Sequence, residues 1–76
     1  MKRKAIIDFE IFKQLNKDIL IMHVYLDPPE VNKHFINVKR KDVLDLSNNY
    51  SLVANDRAVF KLLTEDFNIK CDLRLS

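Results

Sequence analysis

One stretch dominates the chain, Asp18-Ile-Leu-Ile-Met-His-Val-Tyr-Leu-Asp-Pro-Pro-Glu30, an apolar run broken by a single histidine and stopped by two prolines. Residues 19–26 are rich in Ile, Val and Tyr, and a run of that length suits a strand better than a helix. Read as a strand, Ile19, Ile21, His23 and Tyr25 share one face, and Leu20, Met22, Val24 and Leu26 share the other. Both faces are largely apolar, so both want cover. In a small domain that points to a central strand whose second face meets another copy of the chain or a different protein. The competing possibility is a long loop folded back over that face. Proline cannot donate to a ladder and holds its predecessor extended, so Asp27-Pro28-Pro29 is expected to end the strand.

Upstream, Ala5, Ile7, Phe9 and Ile11 alternate with Lys4, Asp8 and Glu10, a second strand over residues 4–12. The two strands make a β-hairpin joined by residues 13–18, whose Asn-Lys-Asp end supplies turn chemistry. The alternative is one helix from Asp8 to Asp27 that stacks Phe12, Leu15, Ile19, Met22 and Leu26, and it would make the domain mostly α. Residues 34–38 suggest a short third strand and residues 42–47 a short helix, capped by Asp42 or beginning slightly earlier, and Asn48-Asn49 is a break suited to left-handed backbone. Asn55 is an N-cap candidate for a helix through Phe67, with Val59, Leu62, Leu63 and Phe67 on one side and Arg57, Lys61 and Glu65 on another. Ile69, Cys71, Leu73 and Leu75 then alternate with Lys70, Asp72 and Arg74 as a final strand. The expected fold is α+β, a single small domain over residues 1–76 with an N-terminal β-hairpin, two helices and a C-terminal β-strand.

Glycine is absent from all 76 residues. Turns must use Asn, Asp and Pro, and neither a P-loop nor a dinucleotide-binding loop can be built. Cys71 is the one cysteine, so no intramolecular disulfide and no cysteine-based zinc site can form within a chain, and a reducing cytoplasmic setting is the simplest expectation. After Met1-Lys-Arg-Lys4, Asp8 and Glu10 interrupt what would be the apolar part of a signal peptide, and residues 19–26 are too short to span a bilayer. Asn49-Tyr50-Ser51 would accept a glycan only in a secreted chain. The reading is a soluble, cytoplasmic domain with no membrane partner and no cofactor.

Catalysis needs titratable groups held together, and few sets present themselves. His23 and His34 lack ligand spacing to each other or to Cys71, Asp8 and Glu10 read as a solvated pair, and Cys71 has no recognisable base beside it. No metal site and no enzyme is expected. A docking surface would instead use aromatic anchors with a charged rim, and Tyr25, Phe35 and Tyr50 with Lys39, Arg40 and Lys41 are the candidates. The leading expectation is a small regulator or inhibitor that binds another protein, or itself as a homodimer through the strand at residues 19–26. Lys, Asn and Ile enrichment suggests an AT-rich genome and so a phage- or mobile-element-type accessory protein.

The alternative is nucleic-acid binding. Residues 1–41 carry nine Lys or Arg against five Asp or Glu, and residues 42–76 carry four against six. Residues 39–76 read helix, Asn-rich turn, helix, strand, an order that resembles a winged helix-turn-helix. That resemblance implies a DNA-binding transcriptional regulator using Lys2, Arg3, Lys4, Lys39, Arg40, Lys41, Arg57 and Lys61. Asp45, the missing turn glycine and Asn55 depart from the pattern, and Asp56, Glu65 and Asp66 make the would-be recognition helix acidic.

Overall fold

The alternating segments pair as a five-stranded mixed sheet in the order β3-β2-β1-β4-β5. The structure, a computed structural model, describes residues 2–26 and 32–74. Asp27-Pro28-Pro29 and Leu75 lie outside the described residues. The elements run β1 (Arg3–Gln14), β2 (Lys17–Leu26), β3 (Asn32–Ile36), α1 (Arg40–Asn49), β4 (Tyr50–Ala54), α2 (Arg57–Lys61) and β5 (Asp72–Leu73), with one π-helical turn (Leu62–Asp66) continuing α2.

The N-terminal hairpin is the expected one, and the single long helix from Asp8 to Asp27 is excluded. β1 and β2 pair antiparallel without a bulge from Ala5↔Leu26 to Gln14↔Lys17, which shrinks the loop to Leu15-Asn16. Leu15 has φ 55 and Asn16 does not have positive φ, the pattern of a type II′ turn that normally places glycine at the first position. Without glycine, a leucine holds that strained backbone. Among the described residues, Asn37 (φ 57) and Asn68 (φ 55) fill the other left-handed positions, where a short amide side chain is better tolerated. The expected left-handed break at Asn48-Asn49 is absent, because α1 runs straight through both residues into extended backbone at Tyr50.

Between the helices lies a strand that pattern reading missed. β4 pairs parallel to β1, Arg3↔Tyr50 through Ile7↔Ala54, so α1 and α2 are separate crossover helices and not a helix-turn-helix. That removes the winged-helix architecture. β3→α1→β4 and β4→α2→β5 both step across the sheet in the same direction. Parallel crossovers are nearly always right-handed, and two steps in one direction with one hand put both helices on one face. Burial follows: Val43 and Leu46 of α1, Val59 of α2 and Leu63 of the π turn join Ala5, Ile7, Met22, Val24, Leu26, Leu52 and Ala54 in one core cluster.

The start of α1 is the earlier of the two expected, and the cap of the second helix differs from expectation by one residue. α1 starts earlier than Asp42, which sits in its first turn and accepts from the Lys39 backbone N–H at 2.9 Å. The second helix is capped by Asp56 rather than Asn55: Asp56 Oδ1 accepts from Val59 N at 2.9 Å, while Asn55 N extends the β4 side of the ladder to Ile7 O at 2.9 Å. The last turn widens, with Phe67 N–H bonding to Leu62 O at 3.0 Å, and Asn68 then turns the chain so that Ile69 N–H reaches Leu63 O at 2.9 Å. This closure occupies Ile69, so the final strand is shorter than its alternation suggests and ladders only at Val53↔Asp72 and Ala54↔Leu73.

Candidate functional site: the open face of the sheet

Alternation places every second residue of the strands away from the helices. One cross-strand row runs Asn32, Tyr25, Ile6, Val53, Asp72 over all five strands, an apolar centre with polar ends. The next row toward the hairpin tip is polar: His34, His23 and Asp8. Ile36, Ile21 and Glu10 follow, and Ile19 opposite Phe12 completes the distal end. Tyr25 is 37%, Phe12 50% and Ile36 73% exposed, while Ile7, Met22 and Val24 on the helix side of the same strands have none of their surface exposed.

The polar row is organised. His23 Nε2 donates to Glu10 Oε1 at 3.0 Å, and the His34 ring meets His23 edge-on with centroids 4.6 Å apart. Asp8 turns aside, and its Oδ1 accepts from the N–H of Phe9 at 2.9 Å. These four side chains come from three adjacent strands, yet no three His, Cys, Asp or Glu groups among the described residues converge to hold a metal ion. The His23–His34 pairing escapes sequence reading, because eleven residues separate the two and only the β2–β3 register puts them opposite each other.

The three aromatic candidates divide between the faces. Tyr25 stands on the open face. Phe35 pairs with Met22 on the helix side, and Tyr50 at the junction of α1 and β4 also packs against the core. Phe35 and Tyr50 both line a groove of about 650 Å³ with Lys2, Arg3, Lys33, Asp42 and Asp45, but Phe35 stands in the row of Phe9 and Tyr50 in the row of Arg3, so the two rings do not form one anchor.

The basic residues are also divided. Lys2 Nζ donates to Ser47 O at 3.1 Å in the last turn of α1, a position that favours a cation at the negative end of the helix dipole. Lys39, Arg40 and Lys41 lie at the other end of α1, about 15 Å away for a ten-residue helix, with Asp42 and Asp45 between them. Arg40 is engaged: its Nε donates to Phe67 O at 2.7 Å, tying the start of α1 to the end of the π turn. Lys4 lies on the open face beside Ile6 and Val53, away from the groove that Lys2 and Arg3 line. Arg57 is the exposed first residue of α2, and Lys61 is 3.9 Å from Glu65.

Cys71 sits half-buried in a groove of about 370 Å³ with Leu44, Tyr50, Leu52, Ile69 and Asp72. Burial pushes its thiol pKa up, and the neighbouring Asp72 charge pushes it further in the same direction. A thiol held protonated is a poor nucleophile. No helix is long and apolar enough to cross a membrane, a statement about helices among the described residues alone. Searches of protein-family models, curated proteins and solved structures find no match to this chain.

Proposed function

We propose that this protein is a non-enzymatic binding module, a regulator or inhibitor that docks on another protein through the open face of its sheet. The observation that carries the reading is the sheet's asymmetry. Both helices bury one face, and the other keeps Tyr25, Ile6, Val53, Ile21 and Ile36 as an apolar surface crossed by a polar row. An aromatic anchor among aliphatic residues, with charged groups at its margin, is the composition that supplies most binding energy in protein interfaces. Tyr25 is the anchor, and Lys4, Glu10 and Asp72 provide the nearby charge.

The non-enzymatic part is supported by chemistry. The thiol of Cys71 is held protonated, and the His23–Glu10 pair lies on an open strand surface rather than in a cleft. Nucleic-acid binding has less support, because Lys2 and the cluster Lys39, Arg40 and Lys41 lie at opposite ends of α1 with carboxylates between them, Lys4 stands on the open face, and Lys2, Arg40 and Lys61 are engaged within the chain.

The test is capture from a lysate of the source organism on immobilised protein, comparing wild type with Tyr25→Ala and Tyr50→Phe. A partner retained by wild type and Tyr50→Phe but lost with Tyr25→Ala, with the circular dichroism spectrum unchanged, supports the open face. Equal capture by Tyr25→Ala removes it. Duplex DNA binding that falls steeply with salt and disappears in a Lys39/Arg40/Lys41 triple-alanine variant would favour the nucleic-acid reading instead.

A further inference from the structure

The distal half of the hairpin has an open backbone edge. Asn55 N–H bonds to Ile7 O, which fixes the odd-numbered residues of β1 as those whose N–H and C=O point toward β4. β4 ends its pairing at Ile7, so Phe9, Ile11 and Lys13 direct those groups past the end of β4, and no described backbone group bonds to them there. Phe9 N–H is already satisfied by its own Asp8 side chain, leaving Ile11 and Lys13 as the open ladder positions. Beside them stand the most exposed apolar side chains of β1 and its turn: Ile11 at 62%, Phe12 at 50% and Leu15 at 98%. The segment has no proline, glycine or bulge to blunt the edge, and its charges, Glu10 and Lys13, are opposite in sign.

We infer that this edge pairs antiparallel with the same edge of a second copy of the chain, around a twofold axis at Phe12. Charge and sterics select the register. A ladder on this edge must match odd residues with odd residues. An axis at Glu10 sets Glu10 against Glu10, and an axis at Lys13 sets lysine against lysine, each a like-charge pair directly opposite. An axis at Ile11 runs the second copy's Leu15 up to Ile7, whose carbonyl Asn55 already holds. The axis at Phe12 avoids all three. It sets Ile11 against the second copy's Lys13, Glu10 against its Gln14, and the two Phe12 rings against each other in the closer, non-hydrogen-bonded type of pair. It also stops at Phe9, where the ladder needs no donor. The result is a four-stranded antiparallel ribbon joining two helix-covered bodies. This contact uses the strand edge and not the Tyr25 row, so it stands or falls separately from the docking proposal.

Sedimentation equilibrium on the full chain up to about 1 mM tests it. Wild type is expected to show a concentration-dependent dimer. Ile11→Pro removes a donor not used within the described fold and is expected to raise the dimer dissociation constant about tenfold or more. Phe12→Lys, which places two lysines at the axis, is expected to do the same, and it keeps the test decisive if the proline variant fails to fold. Tyr25→Ala is expected to leave the dimer constant unchanged. A monomer at every concentration, or a dimer indifferent to Phe12→Lys, overturns the inference while leaving the docking face untouched.

Discussion

Ile6 and Ile7 are the same residue one position apart, and they live in different molecules in all but the covalent sense. Ile7 has no exposed surface and packs in the core that Val59, Leu63 and Val43 close from the helix side. Ile6 sits in the row between Tyr25 and Val53, on the face that carries no helix among the described residues, and is half-buried. The difference does not come from side-chain chemistry. It comes from connectivity: two crossovers stepping the same way over the sheet, with one preferred hand, spend both helices on one face. Hydrophobic alternation determines which residues share a face, and topology determines which face is covered.

The largest expected effect lies on the covered side. Leu63→Ala, at a fully buried position in the π turn, is expected to lower unfolding free energy by about 3 kcal/mol in a urea titration. A loss below about 1 kcal/mol would mean the π turn does not seal the core. Asp56→Ala removes the cap bonded to Val59 N–H and should cost about 1 kcal/mol, measured in the same way. At the uncovered end the sign reverses: Leu15→Gly relieves a bulky residue at φ 55 and should gain about 1 kcal/mol, while a loss would show that the turn has another conformation. Smallest is the pH effect of Cys71. Its raised pKa means the folded state holds the thiol proton more tightly than the unfolded state. Stability therefore falls as pH rises above the ordinary thiol value toward the raised one, and Cys71→Ser should flatten that alkaline slope. Alkylation of Cys71 should be slower than that of a free thiol at mildly alkaline pH.

Much of this was legible in the residues. Ala5, Ile7 and Phe9 against Asp8 and Glu10, and the Ile-, Val- and Tyr-rich run at residues 19–26, favour the hairpin, although Phe12, Leu15, Ile19, Met22 and Leu26 also fit one helical stripe and only the pairing from Ala5↔Leu26 to Gln14↔Lys17 decides between them. That the second face of residues 19–26 wants cover is legible from Ile19, Ile21 and Tyr25, but whether a helix, a loop or a partner supplies it is not. Three things were not. β4 is five residues long and follows Asn48-Asn49, so a short parallel strand reads as part of an Asn-rich turn between two helices. The loop at residues 13–18 looked long because no glycine announces a tight turn, and a leucine at positive φ is a solution that propensity disfavours. Cross-strand neighbours such as His23 and His34, or Phe35 and Met22, depend on a register that only the folded chain reveals, so nothing in the residues alone tells that Tyr25 and Phe35 face opposite ways.

The most direct measurement replaces each of the two neighbouring isoleucines by threonine, a residue that keeps the branched Cβ and most of the strand preference. Urea unfolding of Ile7→Thr and Ile6→Thr, side by side, reads the asymmetry of the sheet. Ile7→Thr, which buries a hydroxyl among helix-covered side chains, is expected to lose about 2–3 kcal/mol, and Ile6→Thr under about 1 kcal/mol. Equal losses at both positions would mean that the Ile6 face is covered too, and the account of an open docking surface would be wrong.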